Sequence, residues 1–446
     1  MKNIEKIKSI ILSILVGISL VLTYFQWIYQ PSNGVIAPDE LIGSVEIAEE
    51  HKAGEVIVPT QVLFHRSGVT YGTGNIGKIT EMYENIKEWN FSETTDITSL
   101  MQGDNVLNLV HGNGSVEFIF DDNVPLQLFS RIQGFSEKYV PNGNFDRIVL
   151  DMGNFDGNNL PVYFITYFAD ERRIYETNAS GAAVKEFQTN YYQIPQGFPV
   201  YTYYDVDETH RIYYPVNENN EVRMYSYKFV SDYVDTNLFR DALFSKPNNV
   251  SKRFVTGGEE YNDGLSLMSV NYFSNTLSYV DPANEPDSTI SIPDLHQRGI
   301  DFINEHKGWT DQFIYDSWSP FENKVSFRLY HQGYPVYNEK GQTTIDIVWG
   351  DEGIYQYNRP YFALKSHLRL EHETAEANLP PGDFVIEKLL QQLDAKNLQA
   401  LRLGYKFVQD SQNPVITLEP TWFYKHAGNW LSITFDDQGG EKRGLE

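Results

Sequence analysis

Leu401-Arg-Leu-Gly-Tyr-Lys-Phe407 places a large apolar side chain at every second position. Successive side chains of a strand point to opposite faces, so Leu401, Leu403, Tyr405 and Phe407 share a core-facing side. One dry and one wet face is the pattern of an antiparallel sheet. Val325, Phe327 and Leu329 alternate in the same way. Before Leu401, Ile386, Leu389, Leu390 and Leu393 lie at i, i+3, i+4 and i+7, with Asp383 as the expected cap. That spacing is the apolar stripe of a helix lying on a sheet. Pro293 and Gly308 frame an earlier helix, and Val415–Leu418 and Trp430–Phe435 add strands. Helices on one face of an antiparallel sheet make an α+β unit, expected over residues 288–446.

Working toward the N-terminus, Asp281-Pro-Ala-Asn-Glu-Pro-Asp287 reads as a linker, with two prolines and no apolar residue larger than Ala. Upstream lies a central unit, 186–287. It is Tyr-rich and strand-like to Phe229. Asp235 is expected to cap a helix carrying Leu238, Phe239, Ala242 and Leu243, followed by a hairpin of Leu265–Phe273 and Leu277–Val280. A first unit, 45–185, combines a helix over Ile76–Trp89 with strands at Val56–Phe64, Val106–Val110, Val116–Phe120 and Val162–Phe168. His111-Gly-Asn-Gly114 reads as the turn between two of them. The expected fold class is therefore α+β: three domains with antiparallel sheets.

The chain has 446 residues, a net charge of −25 and no cysteine. Disulfides, thiolate metal sites and cysteine nucleophiles are excluded. The acidic balance argues against nucleic acid as a partner, since phosphates require basic patches.

The N-terminus has a different character. No charged side chain occurs between Ser9 and Pro38. The apolar run from Ser9 to Ile28 would span about 30 Å as a helix, the thickness of a bilayer core. We expect a cytoplasmic tail at 1–8, a single transmembrane helix at 9–29 and a lead-in at 30–44. Lys6 and Lys8 flank the run on one side and Tyr24, Trp27 and Tyr29 on the other, as interface anchors in contact with the lipid bilayer. The lysines put the N-terminus in the cytoplasm and the C-terminal bulk outside the cell membrane. Bulky residues after the run suit a retained anchor better than a cleaved signal peptide. Ser9, Ser13 and Gly17 fall at successive i+4 steps, and Ser19 and Thr23 form a second such pair. Small residues so spaced allow a second membrane helix to approach closely.

The opening Ile7-Lys-Ser-Ile-Ile-Leu-Ser-Ile-Leu-Val16, continued by Leu22-Thr-Tyr-Phe-Gln-Trp-Ile-Tyr-Gln-Pro31, resembles the start of the YycH (WalH) regulatory family. Tyr261-Asn-Asp-Gly-Leu-Ser-Leu-Met-Ser-Val270 resembles its central hairpin. Gly333-Tyr-Pro-Val-Tyr-Asn338 and Leu418-Glu-Pro-Thr-Trp-Phe-Tyr424 resemble its C-terminal sheet. The family often has Thr-Trp where this chain has Thr23-Tyr24. The resemblance implies a bitopic membrane regulator whose last domain has a fold like that of YycI. It implies a YycI-like membrane protein as heterodimer partner and contact with a WalK (YycG)-type sensor histidine kinase controlling cell-wall metabolism. It leaves the sign of regulation open.

Catalytic motifs fail on their details. Gly72-Thr-Gly-Asn-Ile-Gly-Lys78 matches G-x-G-x-x-G, but Ile79 stands where a P-loop needs a hydroxyl, and the setting reads as antiparallel. His372-Glu-Thr-Ala-Glu376 lacks the second histidine of a zinc motif, and His367 is poorly phased with His372. Asp121-Asp122, Asp205/Asp207 and Asp436-Asp437 follow no calcium-loop pattern. No G-x-S-x-G elbow is present. His296 and His306 are candidate pH sensors, expected to face solvent. No catalytic residue, cofactor or metal is expected, and the chain reads as a non-enzymatic contact regulator. The alternative is an anchored cell-wall ligand-binding module or hydrolase. There Trp309, Trp318, Trp349, Trp422 and Trp430 would stack on sugars, although such residues more often fill cores.

Overall fold

The computed structural model describes residues 45–433, apart from 102–103, 134–139, 168–171, 194–196, 209, 217–221, 287–291, 365–373 and 410–414, together with 15–17 and 19. Residues 1–44 and 45–446 are separate units. In the first, 15–17 and 19 are helical and exposed. Among the described residues no helix is long and apolar enough to cross a membrane. Ser9, Ser13, Thr23, Lys6, Lys8, Tyr24, Trp27 and Tyr29 lie outside the described residues.

Residues 45–446 form one compact unit built on two large sheets. The ten-stranded sheet runs from Arg211–Val216 at one edge through Val200–Asp205, Val69–Thr73, Gln61–Arg66, Ser115–Pro125, Asn144–Asp151 and Asn159–Ile165 to Ile174–Ser180. The fourteen-stranded sheet runs from Ser251–Val255 to Ala375–Leu379, with Leu398–Gln409 and Val415–His426 as its longest pair. Among the described ladders only Tyr334–Tyr337 with Leu398–Gln409 is parallel. The α+β reading with antiparallel sheets holds.

The first sheet is covered on both sides. Ile79, Met82 and Ile86 of the helix Ile76–Ile86 pack with Phe118, Phe129, Phe145 and Phe164 of one core. The Phe129, Phe145 and Phe164 rings meet edge-on or tilted at 5.0–5.4 Å. On the opposite face Val106 and Val110 pack against Val149, Tyr163 and Ile165. Val106–Val110 was expected as a strand and is instead part of the helix Asp104–His111. Its two fully buried residues are four apart, one helical turn rather than a strand's two-residue repeat.

Other elements stand close to expectation. Asn75 caps Ile76–Ile86, and Asp235 caps Thr236–Leu243. Leu267–Asn271 and Thr276–Val280 form the expected hairpin. Pro381, not Asp383, precedes the helix Gly382–Leu390. Asp383 sits in its first turn, and its Oδ1 accepts the Tyr214 hydroxyl at 2.9 Å. The expected linker begins as a packed turn at Pro282–Asn284, where the Asn284 amide donates to Asp281 and to the Ile354 carbonyl. Across it, Thr276–Val280 pairs with Ile354–Pro360, so one sheet runs through both sides of this turn.

Candidate functional site

Two polar constellations grow from one strand, Ser115–Pro125. Register explains the first. Leu63 lies opposite Glu117, Glu117 opposite Val149, and Ile119 opposite Arg147. Two-residue alternation therefore brings His65, Glu117 and Arg147 onto one face, away from the Phe118 core. The helix Asp104–His111 ends over that face and delivers His111. The Glu117 Oε1 accepts from His65 Nε2 at 2.5 Å and from His111 Nδ1 at 2.7 Å. Its other oxygen pairs with Arg147. A carboxylate can only accept, so both imidazoles donate. The second nitrogen of His111 meets the Tyr167 hydroxyl at 2.7 Å, and Arg147 lies 3.8 Å above the Tyr167 ring.

Glu117 is completely buried. Burial pushes its carboxyl up, but His111, Arg147 and the hydrogen bonds from both imidazoles outweigh this and hold it well below the usual range. Burial is also the main reason His111 is pushed down; the Glu117 charge opposes that shift without cancelling it. His65, His111 and Glu117 are metal-type donors within reach of one ion. A zinc ion about 2.0 Å from each would hold them roughly 3.3 Å apart. Here they already contact one another as hydrogen-bonded pairs, and Arg147 supplies the positive charge. Both carboxylate oxygens are already engaged, and the arrangement fits a metal poorly.

The second constellation arises where the same strand leaves its ladder. Register slips between Ile119 and Val124, a β-bulge that turns Asp121-Asp122-Asn123 outward toward the second sheet. Asp121 takes a bidentate pair from Arg402 at 2.6 and 2.8 Å. The Lys425 ammonium donates to the Asp121 carbonyl at 2.7 Å. Tyr315 donates to the Asn123 carbonyl, and the Trp318 amide to Asp122. Burial pushes the Asp122 carboxyl up despite Lys425 nearby. Arg402 lies 3.8 Å over the Trp430 ring and donates through Nε to the Tyr337 hydroxyl. Tyr337 in turn lies under Arg328, which is paired with buried Asp316.

A cavity of about 1020 Å³ opens beside this junction. Its walls come from both sheets: Tyr71, Arg147, Phe198 and Arg211 on one side, Arg402, Leu403, Lys425 and Trp430 on the other.

Sequence reasoning missed His65, His111, Glu117, Arg147 and Arg402. One signal was available: Val116-Glu-Phe-Ile-Phe120 puts a charge inside an apolar strand, where burial demands a partner. Arg402 sat on the polar side of the quoted Leu401–Phe407 alternation. That side faces a second sheet, which a local pattern does not reveal.

Other expected features resolve as follows. Val69–Thr73 pairs antiparallel with Gln61–Arg66, and the Asn75 side chain takes the amides of Gly77 and Lys78. The glycine motif is thus a self-capped helix entry in which the Asn75 side chain, not a phosphate, takes the Gly77 and Lys78 amides. His296 and His306 are both buried, contrary to the solvent-facing expectation, because their helix packs this side on the sheet. Burial and Arg359 push His306 down to about 3, too low for sensing near neutral pH. Trp309, Trp349 and Trp422 fill the core, Trp318 is half-buried against His296, and Trp430 alone of the five lines the cavity. Asp205 pairs with Arg211 and Asp207 with His210. His367, His372, Glu373 and Asp436-Asp437 lie outside the described residues.

Comparison with known proteins decides the family. The YycH protein N-terminal domain matches residues 5–194, and the YycH protein C-terminal domain matches residues 210–440. The chain belongs to the YycH family. A family relative from Bacillus subtilis (strain 168), named two-component system WalR/WalK regulatory protein YycH, is 23% identical over 455 residues, covering 97% of each chain. The crystal structure of YycH from Bacillus subtilis matches with a TM-score of 0.74 at 20% identity, covering 88% of this chain and all of that one. That agreement concerns the fold. The Bacillus megaterium YpeB C-terminal domain, at a TM-score of 0.23, carries no argument about the last part of the chain.

Proposed function

We propose that this protein is a membrane-anchored, non-enzymatic regulator of a WalK-type sensor histidine kinase. The observation that carries the reading is the family match along nearly the whole chain, with a relative named as a WalR/WalK regulatory protein. The apolar run Ser9–Ile28, its lysine flank and its aromatic collar support a single span with the bulk of the chain outside the cell. A YycI-like membrane protein is the proposed heterodimer partner, with a last domain of related fold. The Glu117 cluster supports a structural role: both imidazoles are spent on a carboxylate that is itself held by Arg147.

A contact regulator works by binding two kinase states unequally; equal affinity shifts nothing. A coupling of about 1–3 kcal/mol suffices. The small Ser9, Ser13, Gly17 face, with Ser19 and Thr23, is the proposed helix contact. Gly17→Leu should lower recovery of the kinase in membrane pull-downs and change transcription of its target genes at unchanged protein level. Unchanged recovery and transcription would remove the membrane contact from this reading.

A further inference from the structure

We propose that the cavity between the two sheets binds an anionic small molecule with a flat apolar body. Its volume, about 1020 Å³, is at the upper end of small-molecule sites. Five cations line it, Arg147, Arg211, Arg223, Arg402 and Lys425, with Asp121, Asp122 and Asp146, while Glu117, Asp205 and Glu376 pair with Arg147, Arg211 and Arg223.

The cations differ in what already occupies them. Arg402 is committed to Asp121 and Arg211 to Asp205. Lys425 donates to a carbonyl, the Asp121 oxygen, rather than to a carboxylate. Arg223 stands 3.6 Å from Glu376 and is 68% exposed, a loose pair easily exchanged. Arg147 is 97% buried; Glu117 holds one end of its guanidinium, and its Nε has no partner. A buried guanidinium N–H without an acceptor is costly and marks a place for one. Of the three acids, Asp121 is paired with Arg402, burial pushes the Asp122 carboxyl up against the pull of Lys425, and Asp146 accepts the Tyr167 amide. The unpartnered Arg147 Nε, the carbonyl-held Lys425 ammonium and the loosely paired Arg223 are therefore the donors an anion would meet in this recess. Tyr71, Phe198 and Trp430 supply the apolar surface for a planar body.

Such a ligand would touch both sheets at once and stabilise one arrangement of them. That consequence rests on the regulator reading, whereas binding does not, so the two can fail separately. The test is calorimetric titration of the full chain in nanodiscs with 2-naphthalenesulfonate and with uncharged 2-naphthalenesulfonamide, against empty nanodiscs. The proposal expects one sulfonate site per chain, weakened by salt, and sulfonamide binding at least about tenfold weaker. Lys425→Met and the rim substitution Arg223→Gln should each weaken sulfonate about five- to tenfold and leave the sulfonamide unaffected. Arg223 is mostly exposed, so its variant retains the fold. No heat above empty nanodiscs, equal binding of the two probes, or unchanged affinity in a folded Arg223→Gln protein would overturn the proposal.

Discussion

Glu117 and Asp121 stand four residues apart on one strand and serve opposite purposes. Glu117 points into the sheet's second face, where every partner comes from the same sheet or the helix that covers it. Asp121 sits on a bulge and takes its partner, Arg402, from another sheet 281 positions away. The first network closes one core. The second joins two bodies and leaves a cavity beside the joint. A ladder in register finds the partners of its buried carboxylate within one sheet; a break in register sends a carboxylate to a neighbouring sheet.

Three perturbations test this contrast. The largest effect is expected from Glu117→Ala. It strands the Arg147 charge in the interior and deprives both imidazoles of their acceptor, and should cost about 3–5 kcal/mol in denaturant unfolding. A loss under about 1 kcal/mol would mean the network is dispensable. Asp121→Ala should cost about 1.5–3 kcal/mol, because Arg402 keeps Tyr337 and Trp430 as neighbours. Its signature should be local: faster hydrogen exchange at Asp121–Asn123 and Leu398–Arg402, with the Phe129, Phe145 and Phe164 core still protected. Uniform loss of protection would merge the two regions into one.

The smallest effect per pH unit is expected from acid. Burial pushes His111 down in the fold, so unfolding takes up protons below the ordinary value near 6.5. Stability is therefore complete above about pH 6.5 and falls as the solution is acidified toward the folded value. His306, pushed down to about 3, and His331, pushed down to about 4, add to the same slope from the second sheet. His306 and His331 each contribute at most about 1.4 kcal/mol per pH unit in this window. His111→Gln should make the slope below about pH 6.5 shallower. An unchanged slope would show that folding does not lower the proton affinity of His111.

Much of the fold was legible because its signals are local. The alternation of Leu401–Phe407, the Asp235 cap and the Ile76–Ile86 stripe depend on neighbours within a few residues. Val106–Val110 misled because five mostly apolar residues suit either period, and the glycines that follow end a helix as readily as they turn a hairpin. The candidate site was scarcely legible. Glu117 and Arg147 meet only through register, and Asp121 finds Arg402 only through packing of distant sheets. His296 and His306 were misplaced because a helix pattern shows which side chains share a face, not that a polar one is on the buried side.

The central claim, regulation through membrane-helix contact, is tested most directly by crosslinking in native cells. The full chain would be compared with residues 30–446 carried on an unrelated membrane helix, with captured partners identified by mass spectrometry. The account predicts that a sensor histidine kinase and a YycI-like protein are recovered with the native helix and lost with the foreign one. Equal recovery with both, or recovery of neither, would contradict it.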